Sequence, residues 1–442
     1  MMFFACVACR ATHCLLRLLG FGASSLPGAA ALKICPDVLE WAAKNVEILA
    51  VTGTNGKTTS SRMAEKMLQN AGYAVCLNRT GANLMPGITA ALILNKGIFG
   101  KVKCSHAVIE CDEAACRLVI GKIKPRVLLI TNLFRDQLDR YGTVTRPRDC
   151  IAEGLRASPD TVAVMNADCP LAASIASLCK NKAVYFGSAL FRRAAVGSGE
   201  GDTCPVCGGR LRYKGVSYAS LGDYSCACGF SRPEPNLLAE STLPDGSFVL
   251  SSENKKHLCS PALPGVYNIY NAVGVCAAGI AMGIDIAHAA DAISSFERGF
   301  GRMEEFALGK NGAKMILIKN AAATDQTLAE VGAYGGAKSV VFAVNARTAD
   351  GTDISWLNDA DLGRLARMKG LRRVYVCGEC AQEVQKRLER ENIPCQSCEN
   401  YDKLIDTLRE EDAFIFILPS YTAMLEVREK LIRRLGGKNF WE

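Results

Sequence analysis

Short apolar runs that end in polar or glycine residues alternate with helix-like amphipathic stretches along most of this chain. In the first half, five such runs predict β-strands, at residues 46–51, 108–110, 126–131, 161–166 and 183–187. Strands that alternate with helices predict a parallel sheet covered on both faces. Polar side chains at the carboxyl ends of such strands are expected to form the functional site.

The same alternation returns in the second half, where strands are predicted at 314–318, 339–344, 373–377 and 413–418. Residues 200–235, rich in glycine, proline and cysteine, interrupt the rhythm, and an alanine-rich helix is predicted at 270–283. The pattern predicts an α/β protein of three parts. These are a helical segment at 1–45, a central domain at 46–305 with an insertion at about 200–235, and a C-terminal α/β domain at 306–442.

The segment after the first predicted strand has the order of a nucleotide-binding loop, or P-loop. It reads Gly-Thr-Asn-Gly-Lys-Thr-Thr and is followed by a helix predicted at 60–69. Glycines there let backbone amides approach phosphate oxygens, and the helix directs its positive end at them. The loop residues predicted to bind the nucleotide are Gly53, Thr54, Asn55, Gly56, Lys57, Thr58 and Thr59.

Lys57 and Thr58 are the predicted chemical groups of this loop, the lysine for the β- and γ-phosphates and the hydroxyl for Mg²⁺. Val51 stands where the general pattern has its first glycine. The loop resembles instead that of the Mur ligases and folylpolyglutamate synthetases. Those enzymes use ATP to convert a carboxylate to an acyl phosphate, which an amine then attacks. The resemblance implies a Mur ligase-like P-loop domain that forms an amide bond.

Three carboxylates, Glu110, Asp112 and Glu113, lie at the end of the strand predicted at 108–110 or just after it. Beside a P-loop, Glu110 is predicted to bind Mg²⁺ directly or through water. The roles of Asp112 and Glu113 stay open. A solvated acidic turn is the alternative interpretation.

Shorter segments extend the resemblance in the same order along the chain. Residues 131–142 resemble a Mur ligase stretch with an Asp-His-Leu-Asp core, but Gln137 replaces the histidine that helps to hold a second Mg²⁺ in that family. A second metal therefore stays open, and this version is typical of the MurT-type branch. The Asn166-Ala-Asp168 segment is a further match. By resemblance, the other nucleotide-contacting residues are Asn268, Asn271, Arg302 and Lys319.

Two close pairs of cysteines lie in the insertion at about 200–235. Cys204 and Cys207 are separated by eighteen residues from Cys226 and Cys228, with glycines nearby to relieve tight turns. This spacing predicts a tetrahedral Cys₄ zinc ribbon with a structural role. MurT-type proteins have such an insertion and ordinary Mur ligases lack it.

A rival set has similar spacing near the end of the chain. It comprises Cys377, Cys380, Cys395 and Cys398. Because Cys377 ends a predicted strand and a helix fills the gap, packing as small apolar residues is the favoured interpretation over metal binding.

A polar loop at 345–359 follows a predicted C-terminal strand. It contains Asp350, Asp353 and Trp356. A solvated turn without a function is the alternative interpretation of this loop. The loop resembles the one with which MurT-type C-terminal domains reach a glutaminase subunit of the GatD type. In that family an aspartate of this domain completes the partner's Cys-His pair. The resemblance implies this catalytic role for Asp350 or Asp353.

Composition fits an intracellular enzyme without choosing its substrate. Of 442 residues, 49% are hydrophobic and 22% charged, and the net charge of +8 suits an anionic partner. The 21 cysteines are expected to be reduced, as in the cytosol. The four histidines are predicted to be structural, so a self-contained Cys-His glutaminase is not expected. An amphipathic helix with a basic side is predicted at 11–23, with packing on the domain as its expected use and peripheral contact with a membrane surface as the alternative.

The resemblance implies a specific reaction. ATP and Mg²⁺ would activate the D-glutamate α-carboxylate of lipid II, and ammonia from a GatD-type glutaminase would give the amide, at the cytoplasmic face of the membrane. The enzyme alternative is an amino-acid ligase of the Mur or folylpolyglutamate type. A zinc-ribbon ATPase that binds nucleic acid is the other class. The few basic residues near the cysteines disfavour it, and no nucleic-acid partner is expected.

Overall fold

The structure is a computed structural model of the chain. It describes residues 1–19, 25–78, 82–97, 100–134, 143, 145–193, 202–252, 255–260, 265–296 and 304–435. These residues form two compact units, the first from those before 297 and the second from those after 298. Each unit is an α/β structure, as the alternating pattern predicts.

The first unit contains ten described α-helices and twelve β-strands. The helices are α1 (Met2–Leu18), α2 (Leu26–Ile34), α3 (Val38–Ala43), α4 (Lys57–Asn70), α5 (Met85–Asn95), α6 (Cys116–Ile123), α7 (Arg146–Arg156), α8 (Pro170–Ala173), α9 (Val266–Met282) and α10 (Ile286–Ser294). The strands are β1 (Glu47–Thr52), β2 (Val75–Leu77), β3 (His106–Glu110), β4 (Val127–Ile130), β5 (Val162–Asn166), β6 (Ala183–Ser188), β7 (Arg192–Arg193), β8 (Leu211–Tyr218), β9 (Leu221–Cys226), β10 (Leu237–Thr242), β11 (Phe248–Ser252) and β12 (Lys255–Cys259).

Nine of these strands form one sheet, in the order β12-β11-β10-β6-β5-β4-β1-β3-β2. The strands from β2 to β6 pair in parallel, as does β10 with β6, whereas β11 and β12 continue the sheet in antiparallel fashion. After β1, the chain forms β2 and β3 on one side of β1 and then β4, β5 and β6 on the other side. A sheet of this kind binds ligands where the strand order reverses, which places the expected site at the carboxyl end of β1, between β3 and β4.

Helix α9 forms the apolar support of this sheet. Thirteen of its seventeen residues are buried, which agrees with its alanine-rich sequence. Gly274 lies so close to Phe186 on β6 that a Cβ atom there would be 2.9 Å from the ring. The close approach brings the start of α9 towards the β1–α4 connection.

Helix α1 differs from the helix predicted at 11–23. It begins at Met2 and ends at Leu18. Ala5, Cys6 and Cys9 are buried on its inner side, which explains why the helix includes the first residues. No helix among the described residues has both the length and the apolar character needed to cross a bilayer.

The remaining three strands of the first unit form a small separate sheet, β7-β8-β9. Strands β8 and β9 lie in the insertion predicted at about 200–235, whereas β7 precedes it. Strands β8 and β9 pair in antiparallel fashion. Their ends carry the cysteines described below.

The second unit is built around a six-stranded sheet. Its strands are β13 (Glu304–Phe306), β14 (Ala313–Met315), β15 (Lys338–Ala343), β16 (Leu371–Cys377), β17 (Gln396–Ser397) and β18 (Phe414–Pro419), in the order β13-β14-β18-β15-β16-β17. Its helices are α11 (Ala321–Ala333), α12 (Trp356–Asp359), α13 (Ala381–Arg390), α14 (Tyr401–Arg409) and α15 (Tyr421–Leu435). Alternate residues of β15 enter two different apolar cores, one on each face of the sheet.

Candidate active site

The loop from Gly53 to Gly56 connects β1 to α4 and takes a path that favours glycine at two points. Gly53 has a φ of 126° and Gly56 a φ of 85°, a region that side chains rarely adopt. A Cβ atom at Gly53 would clash with Thr131, and one at Gly56 would clash with Asn271. The loop is therefore pressed between the end of β4 and the start of α9.

Asn132, two residues after β4, holds the loop through both its side chain and its backbone. Its Oδ1 accepts from the Asn55 N–H at 2.9 Å, its Nδ2 donates to the Asn55 carbonyl at 3.1 Å, and its own carbonyl accepts from the Thr54 N–H at 2.8 Å. Thr131 Oγ1 donates to the Asn55 carbonyl at 2.7 Å. In the sequence, Thr131 ends the strand predicted at 126–131 and Asn132 follows it. Both begin the segment that resembles a Mur ligase stretch, but neither is among the predicted site residues.

The first turn of α4 supplies backbone donors at the open side of this loop. The Ser60 N–H makes the first bond of the helix, to the Gly56 carbonyl at 2.8 Å. The amides of residues 57–59 precede it and have no acceptor within the helix. Thr58 and Thr59 are half-buried in this turn. Such a turn, with the positive end of the helix dipole, is an anion-binding site.

Lys57 lies beside the loop and contacts a carboxylate. Its Nζ donates to the Gly53 carbonyl at 2.6 Å and to Glu113 Oε1 at 2.8 Å, and both side chains are nearly buried. Burial alone would lower the pKa of Lys57, but the Glu113 carboxylate, with Glu110 and Asp112, outweighs burial and raises it. The lysine therefore stays positively charged across the neutral range, as an electrostatic role towards phosphates requires.

The three carboxylates at the end of β3 are buried and not solvated, with relative exposures of 9% for Glu110 and 5% each for Asp112 and Glu113. Asn78, a residue absent from the predicted site, fixes the strand end. Its Oδ1 accepts from the Glu110 N–H at 2.8 Å and its Nδ2 donates to the Glu110 carbonyl at 2.7 Å. Buried carboxylates beside a P-loop are the oxygen donors that Mg²⁺ prefers, so the residues fit this metal.

Asn268 and Asn271, predicted to contact the nucleotide, lie in the first two turns of α9, and Asn271 contacts the P-loop. Both are buried. Asn271 packs against Gly56, its Oδ1 lies 3.4 Å from Ser60 Oγ, and its Nδ2 donates to Asn268 Oδ1 at 3.3 Å. The fold thus brings together residues that are more than 200 positions apart in sequence.

Asp168, two residues after β5, is fully buried and accepts hydrogen bonds from three different segments. Its Oδ2 accepts from the Ser188 N–H at 2.9 Å and from Tyr270 OH at 2.6 Å, and its Oδ1 accepts from Arg232 Nε at 2.6 Å. Burial raises the pKa of Asp168 even though Arg232 and Tyr270 act to lower it. Because Tyr270 precedes Asn271 on α9, this carboxylate connects the cysteine-bearing insertion to the helix that packs on the P-loop.

The four cysteines predicted from the insertion come together. The Sγ atoms of Cys204, Cys207, Cys226 and Cys228 all lie within 4.8 Å of one another. The Sγ atoms of Cys204 and Cys228 are 3.8 Å apart, and those of Cys207 and Cys226 are 3.6 Å apart. A tetrahedron with Zn–S bonds of about 2.3 Å has S–S edges of about 3.8 Å. The donor set therefore fits a tetrahedral, thiolate-preferring ion such as zinc.

Two similar turns present these cysteines. The Cys204 N–H donates to the Gly209 carbonyl at 2.7 Å, and the Cys226 N–H donates to the Phe230 carbonyl at 2.7 Å. Each turn contains a glycine with positive φ, Gly208 at 74° and Gly229 at 91°. Such paired turns are a compact way to direct two thiolates at one point.

The second set of cysteines does not gather. Cys377 and Cys398 belong to the apolar core on one face of the second sheet, whereas Cys380 and Cys395 belong to the core on the other face. Among the described residues, the set in the insertion is the one group of three or more His, Cys, Asp or Glu ligands close enough to share an ion. Packing is therefore the role of the second set.

In the second unit, Asp350 and Asp353 occupy different environments on the loop at 345–359. Asp350 is engaged within its own unit, where its Oδ1 accepts from the Thr422 N–H at 2.7 Å and its Oδ2 accepts from Thr422 Oγ1 at 2.5 Å. Asp353 is half-buried and accepts from the Ser355 N–H at 2.8 Å. Trp356 begins α12 and packs against one of the two cores. The loop is thus anchored at Asp350 and Trp356, with Asp353 between them.

The remaining residues singled out by the resemblance are Lys319, Arg302 and Gln137. Lys319 is half-buried just before α11, and Asn320 caps that helix by accepting from the Ala323 N–H at 2.9 Å. Arg302 and Gln137 lie outside the described residues.

Two family models match the chain. The Mur ligase middle domain matches residues 51–195, and the MurT ligase C-terminal domain matches residues 317–424. The first range contains the P-loop and the carboxylates after β3. The second contains the loop with Asp350 and Asp353.

Curated relatives match over nearly the whole length. A protein of Streptococcus pneumoniae named lipid II isoglutaminyl synthase (glutamine-hydrolyzing) subunit MurT is 33% identical over 97% of this chain and 96% of its own. The protein of that name from Staphylococcus aureus strain N315 is 30% identical over 95% of each chain. A UDP-N-acetylmuramoylalanine–D-glutamate ligase of Pelotomaculum thermopropionicum is 26% identical over 65% of this chain and 52% of its own.

Solved structures support the same fold. A pseudomurein peptide ligase type C from Methanothermus fervidus has a TM-score of 0.70 at 22% identity, over 90% of this chain and 80% of its own. MurF from Acinetobacter baumannii has a TM-score of 0.66 at 16% identity, over 92% and 80%. Because the identity to the curated relatives extends over nearly the full length of the chain, it shows the family as well as the fold. The chain belongs to the MurT family, within the Mur ligase-like proteins, and is an ATP-dependent ligase.

Proposed function

We propose that the chain is the synthetase subunit of a lipid II isoglutaminyl synthase. It converts the α-carboxylate of D-glutamate in the lipid II stem peptide to an amide, a step of peptidoglycan synthesis. Its full-length similarity to proteins of that name carries the proposal. The P-loop, with its buried lysine and neighbouring carboxylates, supplies the site for ATP.

The reaction has two steps. A carboxylate oxygen of the substrate attacks the γ-phosphorus of ATP and breaks the bond to the bridging oxygen, which gives an acyl phosphate and ADP. The nitrogen lone pair of ammonia then attacks the acyl carbon. Phosphate leaves, and the nitrogen loses a proton to give the neutral amide.

The residues of the first unit support the phosphoryl transfer. The amides of residues 57–59 bind phosphate oxygens, and the Lys57 ammonium neutralises negative charge that develops in the transition state. Thr58 and Glu110 would hold Mg²⁺, which would supply positive charge to offset that of the phosphates. Asn268 and Asn271 position the nucleotide side of the loop. Arg302 and Lys319 stay predictions from the sequence.

Ammonia comes from a separate glutaminase subunit of the GatD type, which docks on the C-terminal domain. Of the two candidate aspartates, Asp353 suits a role towards this partner. Both oxygens of Asp350 already accept hydrogen bonds from Thr422, whereas Asp353 accepts from Ser355 through Oδ1. Asp350 therefore holds the loop, and Asp353 orients a catalytic histidine of the partner.

Zinc in the Cys₄ site is structural, because four thiolates leave no position for a substrate. The acceptor lies in a membrane, so the enzyme acts at the cytoplasmic face. The domain limits in this proposal are 1–45, 46–305 and 306–442.

The function is tested by ATP turnover with a lipid II analogue, first with ammonia and then with glutamine and a glutaminase subunit. Turnover with ammonia, with an amide as the product, supports the proposal. If only a free amino acid sustains turnover, the chain is an amino-acid ligase instead. Lys57→Ala is expected to lower turnover about a hundredfold or more, and Lys66→Ala on the same helix is the matched control.

The two aspartates are separated by comparing nitrogen donors. Asp353→Asn is expected to abolish glutamine-dependent synthesis and to spare synthesis from added ammonia. Asp350→Asn weakens the anchor of the loop and is expected to lower glutamine-dependent synthesis only partly. If Asp350→Asn alone separates the two donors, the roles are reversed. If neither variant separates the two donors, the proposal that an aspartate of this chain acts across the interface is wrong.

A further inference from the structure

The outward face of α1 is apolar, the reverse of the usual arrangement for a surface helix. Half of the exposed large apolar side chains in the described part of the chain lie within its first 26 residues. On α1 itself these include Phe4, Leu15 and Leu18, with exposures of 65%, 57% and 85%. Buried apolar residues need no special explanation, but a contiguous exposed group indicates an interaction surface.

The exposed positions form one continuous stripe. Phe4, Val7, Ala11, Leu15 and Leu18 are all exposed and follow one another at intervals of three or four residues, which is the spacing of one helix face. Cys14 is exposed beside this stripe. The stripe therefore runs along almost the full helix, and it contains no charged residue.

The opposite face of α1 is fixed to the protein. Ala5, Cys6 and Cys9 are fully buried. Arg10 donates from Nη2 to the Ile93 carbonyl at 2.8 Å and to the Lys96 carbonyl, at the end of α5. The helix cannot turn its apolar stripe inward without breaking these contacts, so the stripe is a permanent feature of the surface.

The charged residues near the stripe indicate which kind of partner it contacts. Helices α1 and α2 carry Arg10, Arg17 and Lys33, and the first acidic residue of the chain is Asp37. Arg17 and Lys33 are exposed. On α1 and α2, an apolar stripe is thus accompanied by basic and no acidic side chains, the combination by which helices lie in the surface of an anionic membrane. With 17 residues, α1 is shorter than the roughly 20 needed to span a bilayer.

We propose that the outward face of α1 docks on the anionic lipid surface, with Phe4, Leu15 and Leu18 inserted at the boundary between headgroups and acyl chains. The inference rests in part on the proposed function, since it gives a reason for the surface: an acceptor held in the membrane is reached by an enzyme that lies on the membrane. The helix is an anchor in the plane of the interface and contributes no group to the reaction.

The test is co-sedimentation of the full chain with vesicles of phosphatidylcholine and phosphatidylglycerol in equal parts. The triple variant Phe4→Gln, Leu15→Gln, Leu18→Gln is expected to lose binding about tenfold or more. Leu118→Gln with Leu258→Gln removes two leucines of similar exposure elsewhere in the unit, 53% and 57%, and is expected to bind like the unaltered chain. Arg17→Gln is expected to weaken binding to these vesicles and not to vesicles of phosphatidylcholine alone.

Two results would overturn the proposal. One is an unaltered chain that does not sediment with the anionic vesicles, or a triple variant that binds them equally. The other is a chain that is dimeric in solution and becomes monomeric in the triple variant, because the stripe would then be an interface between two copies.

Activity on two acceptors separates this proposal from the proposed function. The triple variant is expected to keep its turnover on a water-soluble acceptor that has the stem peptide without the lipid. It should lose turnover on the acceptor embedded in vesicles. Vesicle binding by a chain that amidates neither acceptor would contradict the proposed function and leave the docking surface in place.

Discussion

Two sets of four cysteines in this chain have similar spacing and opposite outcomes. In the first unit, Cys204, Cys207, Cys226 and Cys228 bring their sulfur atoms within 4.8 Å of one another. In the second unit, Cys377, Cys380, Cys395 and Cys398 enter two cores on opposite faces of a sheet. The pairs in both sets are two or three residues apart, so spacing alone does not make a metal site.

The difference lies in the backbone that carries each pair. In the first set, Gly208 and Gly229 permit two tight turns, and each turn points both of its thiols to the same side. In the second set, Cys377 ends β16 and Cys380 precedes α13. A strand and the helix that follows it direct their side chains to different layers. The comparison teaches that the turn, and not the number of intervening residues, makes the metal site.

The largest expected effect comes from removing two ligands of the first set. Cys204→Ser with Cys226→Ser is expected to reduce bound zinc from about one ion per chain to none and to destabilise the first unit by several kcal/mol, because metal binding contributes directly to folding. Metal content of the purified chain and its thermal unfolding are the measurements. Cys377→Ser with Cys398→Ser should leave zinc unchanged. Equal zinc loss in both variants would remove the distinction.

The second effect concerns how the first set is joined to its domain. Arg232→Met leaves the fully buried Asp168 without its cation, which is expected to cost about 3–5 kcal/mol of unfolding free energy. Because Tyr270 shares that carboxylate and precedes Asn271, ATP affinity is also expected to fall. Denaturant unfolding and nucleotide titration measure the two effects. Arg210→Met, on the same insertion at an exposed position, is the control and should change neither.

A smaller effect is expected in the second set. Cys377→Ala removes one buried sulfur from a packed core and is expected to cost about 1–2 kcal/mol, with no change in metal content. Denaturant unfolding of the variant checks the value. A much larger loss accompanied by loss of a metal ion would show that the second set binds metal after all.

The smallest effect is a difference in thiol reactivity with pH. Burial raises the pKa of Cys377 to about 11, so this thiol stays protonated at neutral pH and its alkylation should be slow and increase as the pH rises towards that value. Thiolates that bind zinc are protected by the metal, so alkylation of the first set should increase when a chelator is added. Mass spectrometry of the alkylated peptides distinguishes the two sets. Reaction of Cys377 that does not vary with pH would contradict its buried, protonated state.

The sequence predicts the parts of the site that depend on local geometry. Gly53 and Gly56 adopt positive φ values in a turn between a strand and a helix, and the residues on either side suffice to indicate such a turn. The zinc-type turns are local in the same way. Thr131, Asn132 and Asn78, in contrast, are ordinary polar residues after strands. Only the order of strands in the sheet places Thr131 and Asn132 against the P-loop and Asn78 against Glu110 at the end of β3.

By itself, the sequence determined the alternation of strands and helices, the P-loop, the close cysteine pairs and, through resemblance, the family, because each depends on residues near one another in the chain. The tertiary structure decided which cysteines meet, that Asp168 connects Arg232 to Tyr270, and that the apolar face of α1 points outward. These depend on contacts between residues far apart in sequence. An amphipathic pattern states that a helix has two faces, but only packing determines which of them is buried.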